Sequence, residues 1–163
     1  MKNKKSIALY LSRGAMVAAM YFVLTYISSL MGLDKGVIQF RLSEALCILP
    51  VFMPEAVMGL FVGCLISNIL TGSLILDVVF GSLATLIGAF GARLLKRLPY
   101  RLMWLATAPT VLSNALIVPL VLIFAYGVPD AYWFVLLTVT IGEVVCAIGG
   151  GSLIYYSSKL AKR

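Results

Sequence analysis

Long apolar runs follow one another from one end of this chain to the other, and they constrain its fold more than any other feature. Breakers divide the sequence into apolar segments at roughly residues 7–31, 41–53, 54–71, 74–97, 102–126 and 131–158. GLDKG, the Met53–Pro54 junction, TGS, KRLPYR and YGVPD lie between them. A membrane-crossing helix needs about 20 largely apolar residues, though somewhat shorter ones occur. Hydrophobic residues make up 62% of the 163 and charged residues only 12%. That is too little polar material to clothe a water-soluble domain. The expectation is one integral membrane domain over residues 1–163, all-α, with no room for a further soluble domain.

The net charge of +7 would suit nucleic acid if it were spread over a surface, but it is not. Lys2, Lys4, Lys5 and Arg13 precede or open the first run. Arg93, Lys96, Arg97 and Arg101 form a second cluster, and Lys159, Lys162 and Arg163 a third. These lie where the chain would leave the bilayer, the pattern of basic residues retained on the cytoplasmic side. Only Lys35 and Arg41 stand elsewhere. If all three clusters face the cytoplasm, an even number of crossings separates each pair, and four segments followed by two satisfy that parity. The reading is six transmembrane helices with both termini cytoplasmic, in a multi-pass protein of the plasma membrane that binds no nucleic acid. The second segment is short and contains Pro50, so a re-entrant hairpin of segments two and three would keep the same parity. The run from Ile7 to Met31 is too long for a signal-peptide core and reads as a retained first span.

Several chemistries have no constellation here. Cys47, Cys64 and Cys146 are scattered, and there is no histidine, so neither a zinc site nor a disulfide framework is expected. No serine or cysteine sits beside a base, and there is no phosphate-binding loop of the G-x-x-x-x-G-K-[ST] type. Neither an enzyme nor a resident cofactor is expected. Polar residues do not form a ladder across the membrane, which disfavours an open channel.

Small residues recur at four-residue spacing: Gly14, Ala15, Ala18 and Ala19 in the first segment, Gly59, Gly63 and Ser67 in the third, Gly81, Thr85, Gly88 and Ala92 in the fourth. In lipid, helices associate through close backbone approach, so these faces pack, either within the chain or against a partner.

A helical rise of about 1.5 Å per residue places the polar side chains in depth. Arg41 and Glu44 head the second segment, Asn68 lies near the outer end of the third, and Asp77 begins the fourth. Asn114 and Glu143 each sit about 18 Å along their helices, near the midplane. Ionisable residues at such depth are costly and are functional candidates by default. The plainer reading is structural pairing, Arg41 with Glu44, or Glu143 with an Asn or Ser on a neighbouring helix. Phe40, Tyr126, Tyr132 and Trp133 fall at the outer surface, as an interfacial belt or as the mouth of a site on which a flat ligand stacks. Acidic acceptors, amides and aromatic faces together suit a planar heterocycle bearing N–H groups.

The stretch IQFRLSEALCILPVFMPEAVMGLFVGCLISNIL, followed by LDVVFGSLATLIGA, resembles the QueT family of queuosine-precursor transporters, with echoes in NALIV at 114–118 and GE at 142–143. The departure is Glu55, where the family more usually has a small residue. The resemblance implies a substrate-binding S component of an energy-coupling factor (ECF) transporter: a six-helix bundle that captures a micronutrient from outside. It is driven by a membrane coupling protein and two ATPases. It implies a 7-deazaguanine cargo, such as queuine or the nucleoside, and a docking role for Ala15 and Ala19. A guanine-type edge offers N1–H and N2–H donors that a carboxylate accepts. The candidate acceptors are Glu143 and Glu44, with Asp77, Asn68 and Asn114 completing the edge and Arg41, Phe40 and Trp133 around it. Two other readings remain open: a stand-alone ion-coupled transporter of a nucleobase or vitamin, and a non-transporting membrane scaffold.

Overall fold

The computed structural model describes residues 2–34, 38–127 and 129–161. Lys35, Lys162 and Arg163 of the charge pattern lie outside the described residues, as do the side chains of Lys2, Lys4 and Lys5. Among the described residues there is no strand, and the chain is an all-helical bundle. It comprises α1 (Lys2–Leu30), α2 (Leu42–Phe52), α3 (Glu55–Leu70), α4 (Ile75–Arg97), α5 (Tyr100–Tyr126) and α6 (Tyr132–Leu160). Four of these are long and apolar enough to cross a membrane: α4, α5, α6 and the Ser6–Leu30 part of α1. Shorter apolar helices, α2 and α3, make up the rest. Each breaker in the sequence coincides with a helix end. Gly72 and Gly127, for example, adopt left-handed φ values of 76° and 66°, which end α3 and α5 at no Cβ cost.

Contacts between helix ends define the two poles of the bundle. At the pole that carries the termini, Arg13 of α1 meets Glu55 at the start of α3, 3.4 Å apart. At the same pole Arg93 of α4 donates to the carbonyls of Pro50 and Val51 at 3.0 and 3.4 Å. Those carbonyls end α2 and would otherwise lack partners, and a cation there also opposes the negative end of the helix dipole. The Arg13 contact gives the buried Glu55 a local partner. The opposite pole, called distal here, gathers the α1–α2, α3–α4 and α5–α6 connections.

Two helices are irregular where the polar residues lie. Leu42–Ile48 in α2 is a 3₁₀ helix, continued by a single α turn over Leu49–Phe52. With three residues per turn, Glu44 and Cys47 fall on one face. In α6, the α-helix Tyr132–Glu143 gives way to a π-helical segment at Val144–Gly150, immediately after Glu143. Such widened turns recur at functional sites.

The small-residue faces divide between two uses. A Cβ on Gly59 would lie 2.6 Å from the carbonyl oxygen of Gly14, and one on Gly63 would lie 2.9 Å from that of Ala18. The backbones of α1 and α3 therefore touch through Gly14, Ala18, Gly59 and Gly63. Ala15 and Ala19 are exposed, Ala15 along the edge of this seam.

Candidate functional site

Five of the polar residues singled out from the sequence are buried in one region toward the distal pole: Glu44, Asn68, Asp77, Asn114 and Glu143. Arg41 reaches them from the loop before α2. Each arrives by a different route. The 3₁₀ turn carries Glu44 inward. Asn68 sits in the last turns of α3, and its amide donates to the Asp77 carbonyl oxygen at 3.3 Å, joining α3 to α4. Asn114 comes from the middle of α5, and Glu143 from the last regular turn of α6.

The pairing of Arg41 with Glu44, expected from their spacing, is not what the structure holds. Arg41 lies 3.8 Å from Asp77, and Asp77 also accepts a hydrogen bond from the Tyr126 hydroxyl at 3.2 Å. The reason is that Arg41 stands outside the helix in extended conformation (φ −107°, ψ 100°), while Glu44, in the first 3₁₀ turn, faces into the bundle and is 1% exposed. There Glu44 accepts a hydrogen bond from Tyr21 of α1 at 2.5 Å and one from the Cys47 thiol at 3.1 Å. The electrostatic neighbours of Glu143 are Glu44, Asn114 and Arg41. Its Oε2 is fully buried and accepts no hydrogen bond from the described residues. This unmatched acceptor is the most unusual atom in the cluster, because a buried acceptor without a donor forfeits its hydration with nothing in return.

Above the cluster, at the distal pole, lies an open polar vestibule of about 430 Å³. Its walls include Asp34, Gln39, Arg41, Ser73, Asp77 and Tyr126, so the Arg41–Asp77 pair belongs to both levels. The loop before α2 is drawn in over α6: the main-chain carbonyl of Gln39 occupies the place a side chain at Gly142 would take. Its ends are tied down by Phe40 N–H donating to Leu33 O at 2.9 Å and Leu42 N–H donating to the Ser28 hydroxyl at 3.0 Å.

The aromatic expectation divides. Tyr126 joins the site through Asp77. Trp133 is 76% exposed and packs edge-on against Tyr132, away from the polar residues. Phe40 is half-buried in the loop and is not part of the vestibule wall. Sequence reasoning passed over Tyr21, Cys47, Asp34 and Gln39. Cys47, three residues after Glu44, carried a signal that only the 3₁₀ geometry reveals; Tyr21, in an apolar helix, carried none. All three cysteines are free and buried.

Fold and site together define a multi-pass helical membrane protein that encloses a polar, carboxylate-bearing cluster beneath a polar vestibule. Residues 11–159 match the family described as QueT transporter, and the chain belongs to that family. Over 73 residues it is 40% identical to the queuosine precursor transporter QueT of Lactococcus lactis subsp. cremoris (strain MG1363). The matched stretch spans 45% of this chain and 43% of that protein, less than half of either. No solved structure matches the chain.

Proposed function

We propose that this protein is the substrate-binding subunit of an ECF-type importer, capturing a queuosine precursor of the 7-deazaguanine class from outside the cell. The observation that carries the reading is the buried, unmatched Oε2 of Glu143, whose neighbour Arg41 also lines a polar vestibule. A guanine-type edge supplies the N–H donors that such an acceptor lacks. Asn114 neighbours the acceptor, Glu44, Asn68 and Asp77 complete its polar surroundings, and Arg41 closes the level above. The name of the Lactococcus relative supports the choice of cargo.

In this reading all six helices cross or line the membrane, both termini are cytoplasmic, and the distal pole faces out. Arg93, Lys96, Arg97 and Arg101 at the terminal pole support that orientation. The exposed Ala15 and Ala19 are the docking face for the membrane coupling protein that two ATPases drive. Ala15 also lines a shallow apolar groove with Leu11, Met58 and Val62, a surface that a partner helix could enter.

The test is binding by the isolated protein without ATP. At 100 times its dissociation constant, a 7-deazaguanine base raises native-state stability by about 2.7 kcal/mol, visible as a thermal shift. Uptake is expected only in cells that also make the coupling module. Robust uptake by this chain alone, abolished by collapsing the proton gradient while ATP is maintained, would establish the ion-coupled alternative instead.

A further inference from the structure

We infer that the two carboxylates of the cluster have different jobs: Glu143 is the acceptor for the ligand, while Glu44 is a positioning residue that Tyr21 and Cys47 hold closed to it. The inference deepens the cargo reading above and rests on it for the ligand's identity, though not for the assignment of the two groups.

The two carboxylates differ in the donors that meet them. A carboxylate presents two oxygens, and each needs a donor once water is gone. Both oxygens of Glu44 have one: Oε1 takes the Tyr21 hydroxyl at 2.5 Å, and Oε2 takes the Cys47 thiol at 3.1 Å. Neither donor is free to leave. Tyr21 and Cys47 are 1% and 0% exposed. The Tyr21 Cβ is backed by Gly63, where an added Cβ would lie 2.8 Å away. Cys47 is locked one 3₁₀ turn from Glu44. A short hydrogen bond from a phenol to a carboxylate is of the strong, charge-assisted kind. Displacing it would require a ligand donor at least as good, in a place already filled.

Glu143 is the reverse case. It too is buried, yet its Oε2 has no donor among the described residues, and no lysine or arginine forms a salt bridge with it there. Asn114 on α5 lies within hydrogen-bonding reach of the Glu143 carboxylate, yet Oε2 takes no donor among the described residues, and the loop covers the neighbouring turn of α6 with the Gln39 carbonyl, which is itself an acceptor. A donor brought from outside the chain supplies the missing partner. A cyclic 2-amino-4-oxo edge, with adjacent N1–H and N2–H groups, satisfies a carboxylate with two parallel hydrogen bonds. A base without the 2-amino group supplies only one of them. The selectivity for the 2-amino group therefore resides in Glu143, and Tyr21 and Glu44 shape the site without reading that edge.

Two measurements test this on the purified full-length protein. The first compares binding of a 7-deazaguanine with that of the matching 7-deazahypoxanthine, which lacks the 2-amino group. The wild type is expected to prefer the 2-amino base by roughly 10- to 100-fold, the worth of one hydrogen bond to a charged group. Glu143→Gln should bring the two bases to near-equal affinity. Glu44→Gln and Tyr21→Phe should weaken both together and leave the ratio standing. A ratio lost in Glu44→Gln and retained in Glu143→Gln overturns the assignment.

The second measurement needs no ligand. Dicyclohexylcarbodiimide, a carboxyl reagent that partitions into the bilayer, is applied to the wild type, and the modified residues are read by mass spectrometry. Glu143 is expected to react and Glu44 to be spared until Tyr21→Phe uncovers it. Equal labelling of both in the wild type refutes the division of roles. If neither base binds but Glu143 alone is labelled, the cargo reading fails and the assignment of the open carboxylate stands.

Discussion

The two halves of α1 hold the same helix to the bundle by opposite means. Toward the terminal pole, Gly14 and Ala18 press backbone to backbone against Gly59 and Gly63, with Val17 filling the seam. Toward the distal pole the contacts are hydrogen bonds: Tyr21 to Glu44, Thr25 to the Ser43 hydroxyl at 2.9 Å, and the Leu42 amide to the Ser28 hydroxyl at 3.0 Å. Lipid tails are as apolar as the helices, so burying apolar surface does not by itself drive helices together in a bilayer. Shape and hydrogen bonding must do it, and α1 assigns one to each half. The packed half fixes how far apart α1 and α3 stand. The hydrogen-bonded half fixes which polar groups face the site. Tyr21 is the joint, because its Cβ touches Gly63 and its hydroxyl holds Glu44.

The sharpest way to break this contrast is to fill the seam. Gly63→Val places a branched side chain where even a single Cβ would lie 2.8 Å from Tyr21 and 3.0 Å from the Ala18 Cα. Backbone cannot swing aside as a flexible side chain can. A destabilisation at or above the usual overpacking range of about 1–3 kcal/mol is expected. Thermal unfolding in detergent should show it, together with loss of monodisperse protein. A Gly63→Val variant as stable as wild type would mean that α1 and α3 do not need their close approach.

The hydrogen-bonded half should yield more gently. Tyr21→Phe leaves the ring in its slot and removes only the hydroxyl, so the packed half is untouched. Single interhelical hydrogen bonds in membranes are worth about 0.6 kcal/mol on average, and bonds to charged groups somewhat more. A loss of about 1–2 kcal/mol is expected for Tyr21→Phe, and about 0.5 kcal/mol for Ser28→Ala, whose hydroxyl anchors only the loop amide. If Ser28→Ala proves the more damaging of the two, the loop anchor outweighs the carboxylate clamp, and Tyr21 is not the joint.

The contrast also marks what could be read without coordinates. The helix boundaries followed from glycine, proline and charge, because these act locally: Gly72, Pro54 and Gly127 stop or start a helix whatever surrounds them. The polar cluster was legible as a set, since an ionisable residue in an apolar run must find company somewhere. Its wiring was not. Arg41 and Glu44 look paired at α-helical spacing, but the helix begins only at Leu42, and the extended backbone of Arg41 sends it to Asp77 while Glu44 turns to Tyr21. Small-residue spacing announced close packing in α1 but could not say which of two overlapping pairs faced inward. One residue of helical rotation separates Gly14 and Ala18 from Ala15 and Ala19, and the positions of α3 and its glycines decide between them.

That unused pair gives α1 a third face and the mildest structural prediction. Ala15 and Ala19 are exposed, Ala15 on the open groove beside the seam, so enlarging them costs the isolated protein little. The double variant Ala15→Leu/Ala19→Leu should unfold within about 0.5 kcal/mol of wild type, as surface substitutions do. Its affinity for a 7-deazaguanine should be unchanged, because Glu143 and the polar groups around it remain in place. Ala18→Leu, one residue from Ala19 but facing Gly63, should instead destabilise the fold, since it widens the seam. The two variants together separate the faces of one helix. If the face serves as a docking surface, uptake in cells making the coupling module falls in the Ala15→Leu/Ala19→Leu double variant while binding by the isolated protein does not. If uptake keeps pace with binding in that variant, the docking role proposed for this face fails, and α1 contributes only its packed and hydrogen-bonded halves.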